Sequence, residues 1–68
     1  MSDTIRINGT AEPLAASTVA ELIAGRSDTG GRGLAVALNG AVVRRAAWAA
    51  TPLKAGDVVE IVRAMQGG

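Results

Sequence analysis

The sequence predicts an α+β fold, a mixed sheet of four to five strands packed on one short helix. Three observations carry that expectation. Separate segments alternate apolar and polar residues with the period of a half-buried strand. Two Asn-Gly pairs mark tight hairpins, because both central residues of a type I′ turn need positive φ. A single short stretch carries a helix start, an apolar face at helical spacing and a glycine stop.

Thr4-Ile5-Arg6-Ile7-Asn8 is the first alternating segment. Asn8-Gly9 turns the chain, and residues 11–15 return as the second strand. Pro13 cannot donate to a ladder, which places this strand at a sheet edge. Thr18-Val19-Ala20-Glu21 matches a capping box, with Thr18 as N-cap and Glu21 reaching back. Val19, Leu22 and Ile23 then fall on one helix face, and Gly25 is placed to end the helix at C′. A helix of about two turns must take its stability from packing.

Arg26 to Gly33 reads as a mobile loop. Its Gly30-Gly31-Arg32-Gly33 run lacks the spacing and the Lys-Ser/Thr pair of a phosphate loop, and no strand leads straight into it. In Leu34-Ala35-Val36-Ala37-Leu38 the three large residues face the core. Asn39-Gly40 turns into the short segment Ala41-Val42-Val43. Arg44 to Ala50 has room for a helical turn, which Pro52 stops. Trp48 is expected to plug one end of the core, its indole N–H seeking a partner. Lys54 to Asp57 forms a turn into the last strand, where Val59 and Ile61 point inward and Glu60 and Val62 outward. The domain expectation is a globular body over residues 1–64 and a flexible C-terminal arm over 65–68 ending in Gly-Gly.

Composition narrows the chemistry. With no Cys, His or Tyr, the chain has no thiol or imidazole nucleophile and no disulfide or zinc framework. No base is available to activate a hydroxyl by the usual pairing. A protein acted upon by an enzyme fits this inventory better than an enzyme does. Of the apolar residues, fourteen are Ala and sixteen are Val, Leu or Ile, which predicts modest stability for a body of this size. A net charge of +1 gives no field to attract nucleic acid. No apolar run approaches the ~20 residues that span a bilayer, and the N-terminus lacks a signal-peptide pattern. The expectation is a soluble cytoplasmic protein with no nucleic-acid and no membrane partner.

Gly67-Gly68 is the candidate active element. Paired glycines after a strand lose entropy unless the backbone must go where no side chain fits. The carboxylate of Gly68, ionised at neutral pH, is therefore the candidate reacting group. Gly67 lets the backbone thread a narrow channel. Ala64, Met65 and Gln66 extend the arm, and four terminal residues reach roughly 13 Å when extended. A weaker expectation concerns docking: Arg6, Ala35, Ala37, Glu60, Val62 and Ala64 share the sheet face away from the helix. Arg44 and Arg45 are candidates to meet an acidic rim on a partner.

These features, in this order, resemble the ubiquitin-like β-grasp family and, within it, the bacterial ThiS sulfur carriers. The resemblance rests on Thr18-Val19 with Glu21-Leu22, on Ala35-Val36-Ala37-Leu38-Asn39-Gly40, on Val43, Arg45 and Trp48 as a V-x-R-x-x-W run, on Ala55-Gly56-Asp57, and on Gly67-Gly68. It implies that a ThiF-like adenylyltransferase, using ATP and Mg²⁺ that this chain does not bind itself, activates Gly68. It further implies sulfur from a cysteine desulfurase, a thiocarboxylate product, and delivery to a ThiG-like thiazole synthase in thiamin biosynthesis. A MoaD-like carrier for molybdopterin shares the fold and terminus. A ubiquitin-like modifier attached to lysines and an interaction domain with an inert tail are the other readings.

Overall fold

The computed structural model describes residues 3–27 and 31–63. The strands are β1 (Thr4–Ile7), β2 (Thr10–Pro13), β3 (Leu34–Leu38), β4 (Ala41–Val43) and β5 (Val58–Arg63). Helix α1 covers Val19–Ala24, and a 3₁₀ helix covers Arg45–Ala50. The sheet order is β2-β1-β5-β3-β4. β5 runs parallel to β1 and antiparallel to β3, so the last strand fills the centre between two hairpins.

Both hairpins turn as expected. Asn8 and Asn39 have φ of 51°, and Gly9 and Gly40 follow at 85° and 87°. β2 is an edge strand, but it ends at Pro13 rather than Ala15. The reason is register: Pro13 pairs with Thr4, the first residue of β1, after which only the Leu14 N–H to Asp3 carbonyl bond of 3.0 Å remains.

Thr18 is the N-cap of α1, accepting the Glu21 N–H at 3.2 Å. Glu21 reaches back one residue further than a standard capping box, accepting from the Ser17 N–H at 2.7 Å. Gly25 ends the helix without left-handed backbone; its φ is −79°. The final turn instead closes through bonds from Gly25 N–H to Glu21 and from Arg26 N–H to the Ile23 carbonyl. Six residues are too few to hold a helix alone. Val19 and Ile23 are buried, and the Val19 N–H donates to the Thr51 carbonyl at 3.0 Å, tying α1 to the chain after the 3₁₀ helix.

The core lies between the inner sheet face and α1: Ile5, Ile7, Val19, Ile23, Val36, Trp48, Leu53 and Val59 are buried. Val36 is fully inside, whereas Leu34 and Leu38 are half-buried against this cluster. Ile61 points inward beside them, as alternation requires. Trp48 closes one end, and its Nε1–H donates to the Val43 carbonyl at 2.9 Å. The expected mobile loop is corrected where it is described. Gly31 is buried, its N–H donates to Ser27 Oγ at 3.1 Å, and its carbonyl accepts from Leu34 at 3.1 Å. Residues 28–30 lie outside the described residues.

Candidate functional site

β5 carries the chain toward the candidate reacting group. Ala64, Met65, Gln66, Gly67 and Gly68 all follow it and lie outside the described residues. The structure therefore shows the strand that delivers them. On one side β5 is held to its end by β3, through Ala35↔Val62 and Leu34↔Arg63. On the other side the register with β1 covers only Arg6↔Val58 and Ile7↔Val59.

Asn8 extends that shorter side. Its backbone N–H donates to the Val59 carbonyl at 2.9 Å. Its side-chain Nδ2 donates to the Ile61 carbonyl at 3.0 Å, and its Oδ1 accepts the Ile61 N–H at 2.8 Å. The carboxamide thus presents one donor and one acceptor, as a further peptide unit would. Asn39 does comparable work at the start of β5. Its Oδ1 accepts the Val58 N–H at 2.9 Å, and its Nδ2 donates to Asp57 Oδ1 at 3.1 Å. Reading these asparagines as turn formers was correct but incomplete.

Asp57 anchors the turn before β5. It is buried, and its Oδ2 accepts the Lys54 N–H at 2.9 Å. Burial pushes its carboxyl up. The Lys54 N–H, the Asn39 amide and the Lys54 charge outweigh that and hold it below its ordinary value. On the opposite flank, Glu12 and Arg26 form a two-pronged pair at 2.9 and 2.8 Å between β2 and the end of α1. Hydrogen bonding from Arg26 holds the Glu12 carboxyl below its usual range. The pair is exposed and open to screening by salt.

The outer sheet face assembles as alternation implies. Ala35 lies beside Val62, and Ala37 lies between Glu60 and Val42. With Asn8 they line a shallow groove. Sequence reading placed Ala35, Ala37, Glu60 and Val62 here, and missed Val42 and Val58. Val42 is 80 % exposed, Val62 58 % and Val58 41 %, so the patch is apolar and open to contact. Alternation along β4 and β5 was the signal that could have found them. Arg6 is exposed next to Val58 in the register of β1 and β5, and its Nη1 donates to the Gly9 carbonyl at 3.4 Å. Arg45 sits 5.8 Å from the centroid of the Trp48 ring, a stacked cation rather than a bare surface charge.

The glycine-rich run makes no open phosphate cradle at Gly31, because the indole of Trp48 and the side chain of Ile23 occupy the space beside its Cα. Among the described residues no group of three or more Asp or Glu side chains is placed to hold a metal ion. No described helix is long and apolar enough to cross a membrane.

A β-hairpin, a helix, a second hairpin and a last strand inserted parallel to the first define a ubiquitin-like β-grasp domain. The family model for ThiS matches residues 5–68, and the chain belongs to the ThiS family. It is similar to the crystal structure of the thiamine biosynthesis protein ThiS from Geobacter metallireducens. The two share 34% identity over 96% of this chain and 99% of that one, with a TM-score of 0.80. No curated protein matches the chain.

Proposed function

We propose that this chain is a sulfur carrier of thiamin biosynthesis, a protein co-substrate whose Gly68 carboxylate is converted to a thiocarboxylate. The observation that carries this reading is the ThiS match, which runs through the diglycine to Gly68. The chemistry follows from the group. A carboxylate oxygen attacks the α-phosphorus of ATP, the bond to pyrophosphate breaks, and an acyl-adenylate forms on Gly68. A persulfide sulfur then attacks the acyl carbon and AMP leaves, and a thiol reduces the resulting acyl disulfide, itself oxidised to a disulfide, to free the thiocarboxylate. A ThiF-like adenylyltransferase would hold ATP and Mg²⁺, a cysteine desulfurase would supply the sulfur, and a ThiG-like thiazole synthase would consume it.

Each part of the chain has a role in this reading. Gly67 removes the β-carbon next to the reacting residue, so that backbone can enter a narrow cleft. Ala64, Met65 and Gln66 give the reach. Val62, with Ala35, Ala37 and Val42, offers the activating enzyme a shallow apolar face on the strand that leads to the terminus.

Intact mass of the endogenous protein is the test. A population heavier by the exchange of one oxygen for sulfur is expected, and thiamin auxotrophy is expected in a deletion strain. Loss of molybdoenzyme activity without auxotrophy would move the assignment to the MoaD-like pathway. Ladders of lysine conjugates on a denaturing gel would move it to a modifier.

A further inference from the structure

We propose that Asn8 is a positioning residue for the carrier reaction, fixing the last point at which β5 is held from both sides. The inference rests on the sulfur-carrier reading. Its physical basis is the ladder itself. Ile61 is paired on one side with Val36 of β3 and on the other with the Asn8 carboxamide, 53 residues away in sequence. Without that carboxamide, the β1 side of β5 ends at Val59. Val62 and Arg63 have a strand partner in β3 alone. Asn8 therefore moves the boundary of doubly held backbone two residues closer to Gly68.

The residue type supports this role over a turn-forming one. At φ of 51°, Gly or Asp also satisfies a type I′ turn. Asn alone among them presents a donor and an acceptor together, matching both the carbonyl and the N–H of Ile61. Asn39 makes a related contact at the opposite end of β5, accepting the Val58 N–H but donating to the Asp57 side chain rather than to backbone. Only the Asn8 clamp sits at the end from which Gly68 must be presented. Small displacements of a reacting group cost rate far more than they cost binding. Asn8 should thus act on turnover, while the exposed face around Val42 and Val62 acts on docking.

The test compares Asn8→Gly, Asn8→Asp and Asn39→Gly as full-length chains. Each glycine variant keeps its turn and loses its carboxamide. Adenylation by the ThiF-like enzyme of the same organism is followed by pyrophosphate release, and amide hydrogen exchange is followed at Ile61. Asn8→Gly should raise Ile61 exchange by about tenfold or more, as local opening becomes easier. It should lower kcat by about tenfold or more with KM within about twofold, as expected for a misplaced reactant. Asn8→Asp keeps the acceptor and should fall between. Asn39→Gly should lower stability comparably and leave kcat unchanged. Wild-type kcat in Asn8→Gly, unchanged Ile61 exchange, or equal kcat losses in both glycine variants would overturn the positioning role. A wild-type chain that yields no adenylate would overturn the carrier reading and this role with it, the Ile61 exchange showing separately whether the clamp exists.

Discussion

Gly31 packs directly against Trp48. A β-carbon at position 31 would overlap indole Cζ3 and lie 2.9 Å from Cη2 and 2.8 Å from Ile23 Cγ2. The backbone there has φ of +91°, so a side chain would be strained even with space to spare. Gly31→Ala should therefore destabilise the fold by about 1–3 kcal/mol through overpacking, with about 1–2 kcal/mol more from left-handed backbone. A urea melt followed by fluorescence of the single Trp measures it directly. A loss within about 0.5 kcal/mol, the range of neutral surface changes, would contradict this packing.

The Thr18 cap predicts a smaller effect. Thr18→Ala strands the Glu21 N–H and should cost about 0.5–2 kcal/mol, whereas Thr18→Ser should recover most of it. Equal melts for the two variants would mean that the tie from Val19 to Thr51 holds the helix start unaided.

Val42→Asp and Val62→Asp test the outer face. Both side chains are largely exposed, so each change should alter stability by no more than about 0.5 kcal/mol. Each should raise KM for activation by the adenylyltransferase, since a buried unpaired carboxylate at an interface is costly. Wild-type kinetics in both variants would remove this face from the docking model.

Asp57 predicts a pH dependence with a definite sign. Its folded value is depressed, so the stability it contributes is present above the unfolded carboxylate value and disappears as pH falls through the folded one. The contribution should be complete above about pH 5 and decline below about pH 4. Asp57→Asn should destabilise the protein at neutral pH and flatten the acid limb of its stability profile. An unchanged acid limb would assign that limb to other carboxylates.

Gly68→Ala, or one residue appended after Gly68, should abolish thiocarboxylate formation and leave the urea midpoint unchanged. The motive is steric access to the acyl carbon. Mass spectrometry of the chain after incubation with activating enzyme, ATP and sulfur donor reads the outcome. Undiminished adenylation of the Ala variant would show that the partner's channel admits a β-carbon.

Local rules made most of the fold legible. Asn8-Gly9 and Asn39-Gly40 announced both hairpins, Thr18 announced the helix start, and alternation assigned the inward residues of β3 and β5. The unread parts depended on distant partners. Nothing near Asn8 says that its carboxamide meets Ile61, and nothing near Gly31 says that an indole arrives beside it. Gly25 was read as the helix stop, and α1 does end there, in right-handed backbone closed by bonds to Glu21 and Ile23. Val42 was read only as part of a short apolar segment; its pairing with Ala37 places it on the outward row.

The position of β5 has a consequence for biosynthesis. The central strand of the sheet is made after both hairpins, and neither has its central neighbour until then. A nascent chain interrupted before residue 58 holds two unjoined halves with bare inner edges, and such unpaired edges are prone to aggregation. Compactness in this molecule thus certifies that translation has passed through Arg63, on the threshold of the segment that would bear the cargo.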